Sequence, residues 1–165
     1  MGQLQERLVW HPEAGAILDA DRRYVMLRAD VLMGLFTALP PALRDQALAS
    51  LQASVRDHGG ASARAYQAAG ARAPGPLLQV MAQAAADLGW GVWHWRMADA
   101  DAPVLQVENS PFATAAIGSD RPVCHAITGM LEAVSALVAG KASPYRETRC
   151  ASMGAPCCEF EARRD

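Results

Sequence analysis

The chain has 165 residues and carries 15 basic against 17 acidic side chains, a formal charge of −2. That length fits one domain with a sizeable core, and the near-neutral charge offers no basic surface of the kind nucleic-acid binding requires. No apolar run approaches the ~18 residues of a membrane span, and the opening Met1-Gly2-Gln3-Leu4-Gln5-Glu6-Arg7 has no apolar export stretch, so a cytoplasmic protein without a membrane span is expected.

No linker, repeat or low-complexity tract divides the chain, which predicts a single domain over 1–165 with an extended N-terminal arm to about residue 20. The spacing of Leu27, Val31, Leu35 and Ala38 predicts a helix over 25–39, stopped by Pro40-Pro41. A second helix should start at Pro41, carry Leu43, Ala47, Leu51 and Val55 along one stripe, and end near Gly59-Gly60. A short alanine-rich helix is expected over 61–69. Another should begin near Gly75-Pro76, where proline suits the first turn, and present Leu77, Val80, Met81, Ala84 and Leu88.

From residue 91 the apolar period changes to two. Gly91, Trp93, Trp95 and Met97 alternate with Val92, His94 and Arg96, which is the pattern of a strand with one buried face. A turn at 99–101 and a return strand over 104–109 follow. A last helix is expected over 123–139, with Ile127, Met130, Leu131, Val134, Leu137 and Val138 on its apolar side and Gly140 ending it. Segments 145–150 and 158–162 read as two short strands around a Gly-Ala-Pro turn, too short to stand alone as a hairpin. The fold class expected is therefore α+β, with helices packed on a small antiparallel sheet.

The chemistry is concentrated at the C-terminal end. All four cysteines lie there: Cys124, Cys150 and the pair Cys157-Cys158, with Glu147 three residues before Cys150. A reducing compartment argues against disulfides, and thiolates with a carboxylate suit a borderline cation such as Zn2+. Cys124, Glu147, Cys150 and Cys158 would fill a tetrahedral shell and leave no position for an activated water, the mark of a structural metal. Neighbouring side chains on an extended segment point to opposite faces, so Cys157 and Cys158 cannot both face one site. The same objection places His125 behind Cys124, although either Cys157 or His125 could replace a ligand. The competing reading makes these thiols small buried hydrophobes.

The residues around this cluster carry a resemblance. Pro122-Val123-Cys124, the following helix with Gly129, the ending Ala139-Gly140-Lys141, then Arg146-Glu147-Thr148-Arg149-Cys150 and Gly154-Ala155-Pro156-Cys157-Cys158-Glu159-Phe160 resemble the end of a 4-vinyl-reductase-type, hydrocarbon-binding domain. Asn109-Ser110-Pro111-Phe112 and Gly75-Pro76 extend the likeness more weakly upstream. That family includes bacteriochlorophyll biosynthesis proteins and the sensors of phenol- and xylene-responsive activators, and is related to the TRAPP vesicle-tethering subunits. The resemblance implies an α+β ligand-binding domain, a structural zinc on the four positions named, and a homodimer. In the sensors the domain is joined to an ATPase and a helix-turn-helix; with neither here, any output would pass through a separate partner.

The ligand space would be an apolar cavity between helices and strands, with Trp93, Trp95 and Phe112 as walls and Gln79 or His94 as a polar contact. A tryptophan pair on one strand face is also ordinary core, and His94 falls on the face opposite the pair. No G-x-S-x-G elbow, Walker loop, dinucleotide fingerprint or HExxH motif is present. The function expected is a small-molecule sensing or binding module for a hydrophobic or aromatic ligand. The alternatives are an accessory factor or reductase of tetrapyrrole biosynthesis, and a tethering subunit.

Overall fold

A computed structural model describes residues 4–60, 64, 74–99, 102–139 and 143–163. The expected helix over 61–69, the turn residues 100–101 and the helix end at Gly140 lie outside the described residues. The fold is α+β, with antiparallel pairing throughout both sheets. Among the described residues, no helix is long and apolar enough to cross a membrane.

The N-terminal part is more than an extended arm. After the short helix α1 (Leu4–Arg7), strands β1 (Val9–His11), β2 (Ala16–Asp19) and β3 (Arg22–Tyr24) form a three-stranded meander. Asp19, buried at its foot, is held by Arg7 at 3.2 Å and Arg22 at 3.3 Å.

Helix α2 is shorter than its pattern predicts, Ala29–Thr37, because Arg28 is extended at ψ 139° and starts the helix late. Its anticipated apolar stripe also faces outward. Leu27, Val31 and Leu35 are 56%, 54% and 62% exposed, while Met33 and Phe36 enter the core. The helix is apolar nearly all round, so its periodicity does not tell which face meets the body of the protein.

Helix α3 (Pro41–Ser54) continues into a π-turn, Val55–Gly59, and buries Leu48 fully, whereas Leu43 at its start remains exposed. Helix α4 begins at Pro74 and runs to Asp87, with Leu77, Met81, Ala84 and Ala85 buried.

Strands β4 (Val92–Asp99) and β5 (Ala102–Glu108) pair as the two-residue period requires: Trp93 is buried, Trp95 half-buried, and Val92, His94 and Arg96 exposed. The short helix α5 (Pro111–Thr114) follows, its N-terminus capped by the Ser110 hydroxyl, which accepts from Ala113 N. Helix α6 (His125–Ala139) buries Ile127, Leu131 and Val134. Gly129 lets it meet α3: a Cβ there would stand 2.2 Å from the Gln52 carbonyl oxygen.

The C-terminal strands β6 (Tyr145–Arg149) and β7 (Cys158–Ala162) are not an isolated hairpin. The second sheet has the order β4-β5-β7-β6, so β7 is an interior strand, with Cys158 opposite Val107 and Phe160 opposite Leu105. Cys158 and Phe160 are fully buried and alternate with Glu159 and Glu161, which are not.

Candidate metal centre

Three elements converge on one buried point. Cys124 is the residue before the first turn of α6, Glu147 lies on the edge strand β6, and Cys150 and Cys158 stand at the two ends of the loop joining β6 to β7. The register between β6 and β7 shifts between Glu147 and Arg149, the mark of a bulge, which bends the strand and re-aims its side chains. A 3-10 turn over Ala151–Met153 then folds the loop back, with Ala155 N donating to Cys150 O at 3.3 Å. Gly154 sits at φ 90°, a left-handed conformation that glycine adopts freely.

The ligand atoms of Cys124, Glu147, Cys150 and Cys158 all lie within 4.8 Å of one another, so the group could hold a metal ion. The three thiols are buried, and Cys124 Sγ and Cys158 Sγ are 3.6 Å apart. Glu147 Oε2 accepts from Cys124 N at 2.9 Å, while its Oε1 is buried without any hydrogen-bond partner. A buried carboxylate oxygen left unpaired is costly, and a cation at the centre of the group would satisfy it.

Protonation within the metal-free cluster is divided unevenly. Burial first, and then the neighbouring Cys150, push the Glu147 carboxyl up to about 8. Hydrogen bonds with Cys124 and Cys158 pull the Cys150 thiol far below its ordinary value despite its burial. Cys124 is pushed up by its hydrogen bonds to Cys150 and Cys158 and by burial. At Cys158 the hydrogen bond with Cys124 acts downward, but Cys150 and burial outweigh it and the thiol is raised. The metal-free cluster thus concentrates its negative charge on Cys150 and keeps protons on the other three.

Cys157 is half-buried and precedes β7, outside the group of four. His125 points to another partner: its Nδ1 lies 3.0 Å from Gln52 Oε1 on α3, and burial lowers its pKa. Two buried serines missed by the sequence reading touch the cluster, Ser110 at 3.3 Å from Cys124 Sγ and Ser152 at 3.0 Å from Cys150 Sγ. Serine is too common on loops for its position in the sequence to have pointed to them.

The residues expected to bind an organic ligand are partly gathered. Gln79 on α4 and Trp93 and Trp95 on β4 line an open cleft of about 490 Å³, and His94 joins them although its side chain alternates with theirs. The indoles of Trp93 and Trp95 meet edge-to-face, with centroids 6.3 Å apart. Trp95 Nε1 donates to the Leu78 carbonyl and Trp93 Nε1 to the Trp90 carbonyl, both at 3.2 Å. Phe112 does not reach the cleft. It is buried and packs edge-to-face on Trp90 at 5.3 Å.

Residues 103–164 match the family model of the vinyl-4-reductase domain. Two solved structures share the fold. The phenol-responsive sensory domain of the transcription activator PoxR, crystallised with phenol, superposes with a TM-score of 0.80 at 18% identity, over 96% of this chain and 85% of that one. A vinyl-4-reductase family protein from Methanocaldococcus jannaschii gives a TM-score of 0.53 at 14% identity, covering 82% of this chain and 89% of its own. At such identities the likeness is one of fold. No curated protein matches the chain. The resemblance carried by Cys124 and the segment from Arg146 to Phe160 is met by the family match: residues 103–164 are a vinyl-4-reductase domain.

Proposed function

We propose that this chain is a small-molecule-binding module of the sensing type, taking an apolar or aromatic guest and holding a structural Zn2+. The observation that carries the ligand reading is the fold likeness to a phenol-responsive sensory domain over 96% of the chain. The guest would lie against the Trp93 and Trp95 indoles, rigid flat surfaces that lose little entropy on binding, with Gln79 as the polar contact. Phe112 contributes from the core, through Trp90, whose carbonyl holds the Trp93 indole. A thermal-shift panel of phenols, alkylbenzenes, fatty acids and tetrapyrroles tests this, since binding to the folded state alone raises stability with the logarithm of ligand concentration. Stabilisation by no class would defeat the reading. A response to tetrapyrroles alone would favour the biosynthetic alternative.

The zinc reading rests on the donor set. With Zn–S near 2.3 Å, a tetrahedral shell places its sulfurs about 3.8 Å apart and a carboxylate oxygen about 3.6 Å from each. The 3.6 Å between Cys124 and Cys158, and the 4.8 Å bound on the whole group, are close to that size before any contraction around an ion. Zinc there would supply a cross-link between α6, β6 and the β6–β7 loop, and four protein ligands leave no open position for a reacting water. Elemental analysis of freshly purified protein is the direct check: one zinc per chain is expected, and none would overturn the assignment.

We also propose a two-fold homodimer. Val25, Met26, Leu27, Val31 and Leu35 form an exposed apolar run along the approach to α2 and along α2 itself. Clustered exposure of this kind marks an interaction surface, and a self-complementary dimer is the commonest closed assembly.

A further inference from the structure

Each of the four candidate ligands receives a hydrogen bond from outside the set of ligand atoms. Glu147 Oε2 accepts from Cys124 N at 2.9 Å, and Cys158 Sγ accepts from Ala151 N at 3.4 Å. The other two ligands meet hydroxyls: Ser110 Oγ lies 3.3 Å from Cys124 Sγ, and Ser152 Oγ lies 3.0 Å from Cys150 Sγ. Both serines are nearly inaccessible, at 1% and 2% exposure. We infer that Ser110 and Ser152 are positioning residues of the metal centre, donating to the Cys124 and Cys150 thiolates and so holding a doubly negative zinc site in the interior. This rests on the zinc reading above.

The chemistry fixes the direction of these bonds. In a thiol–hydroxyl pair either atom can donate, but a metal-bound thiolate carries no proton and can only accept. Three thiolates and a carboxylate around a divalent cation leave a charge of −2, and buried charge is costly unless hydrogen bonds offset it. One donor per ligand spreads that compensation over the whole shell.

Ser110 also caps α5, accepting from Ala113 N at 3.5 Å; that bond uses a lone pair and leaves the hydroxyl proton free for Cys124. Ser152 has no capping duty. Its carbonyl accepts from Gly118 N at 2.8 Å, a backbone bond that survives loss of the side chain. The Ser152→Ala substitution therefore isolates the hydroxyl, whereas Ser110→Ala also removes a cap.

The test loads purified protein, wild type and each alanine variant, with cobalt(II) as a spectroscopic probe, and separately measures zinc affinity by chelator competition. Removing a donor makes a thiolate a better electron donor, so the sulfur-to-cobalt charge-transfer band should move to lower energy. Zinc affinity should fall by roughly 10- to 100-fold, the usual consequence of losing an outer-shell partner. A wild type without thiolate charge-transfer bands overturns the zinc reading and this inference with it. A wild type that binds normally, with Ser152→Ala unchanged in band energy and within about twofold in zinc affinity, overturns this inference alone. Should Ser110→Ala fail to fold through loss of its cap, Ser152→Ala decides the matter.

Discussion

The carboxylate of Glu147 accepts a hydrogen bond from the backbone N–H of Cys124 at 2.9 Å, across 23 residues of sequence. One oxygen thus fixes the entry to α6 against the edge strand β6, and the other is left buried and unpaired within reach of three thiols. The same residue both aligns the elements and faces the centre.

Replacing a thiol of the four should remove the metal and loosen the C-terminal part of the sheet. For Cys150→Ser we expect loss of zinc and a fall in Tm of roughly 10 °C, since zinc binding contributes directly to folding free energy and each kcal/mol moves Tm by about 2–4 °C at this size. Cys157→Ser should keep both zinc and Tm. Metal analysis and calorimetry on the two variants check this, and full zinc retention in Cys150→Ser would contradict it.

The pH dependence of the metal-free protein follows from Glu147, whose pKa is raised by burial from an ordinary 4.5 to about 8. A carboxyl with a raised folded pKa favours the folded state below the unfolded value, and that contribution is lost as pH rises through the folded one. The metal-free protein should therefore lose stability between about pH 4.5 and 8, and Glu147→Gln should flatten the profile. Zinc binding at pH 7 should release about three protons, from Glu147, Cys124 and Cys158. Thermal melts against pH and calorimetry in two buffers of different ionisation enthalpy read these effects.

A methyl group at Gly129 would collide with the Gln52 carbonyl oxygen at 2.2 Å, where backbone rather than a flexible side chain must give way. Gly129→Ala should cost roughly 1–3 kcal/mol through overpacking of α3 against α6. Denaturant unfolding would show it as a lower midpoint with an unchanged slope, and wild-type stability would refute the close approach.

A charge on the exposed face of α2 should separate a dimer without unfolding the chain. Leu35→Glu changes a side chain that is 62% exposed, so the core is untouched. Light scattering at micromolar concentration should report a dimer for wild type and a monomer for the variant. A monomeric wild type would remove the dimer proposal.

The four clustered donors were legible because cysteine is scarce and the opposite-face argument separates Cys158 from Cys157. The α+β class and the alternation around Trp93 were legible because period-two patterning survives when one face of a strand is buried. The outward stripe of α2 was not legible, since a helix apolar on most sides gives a periodicity but no address. Nor was the interior place of β7, which depends on pairing with β5 about 50 residues away. His94 joins the Trp cleft despite its alternating direction because β4 is an edge strand.

Native mass spectrometry of protein purified from its own host tests the central claim most directly, because it reports metal, guest and assembly on one particle. The expected particle is a dimer with one zinc per chain and an added mass from an apolar guest, the guest lost and the zinc retained on gentle activation. A particle with neither zinc nor guest would contradict the claim.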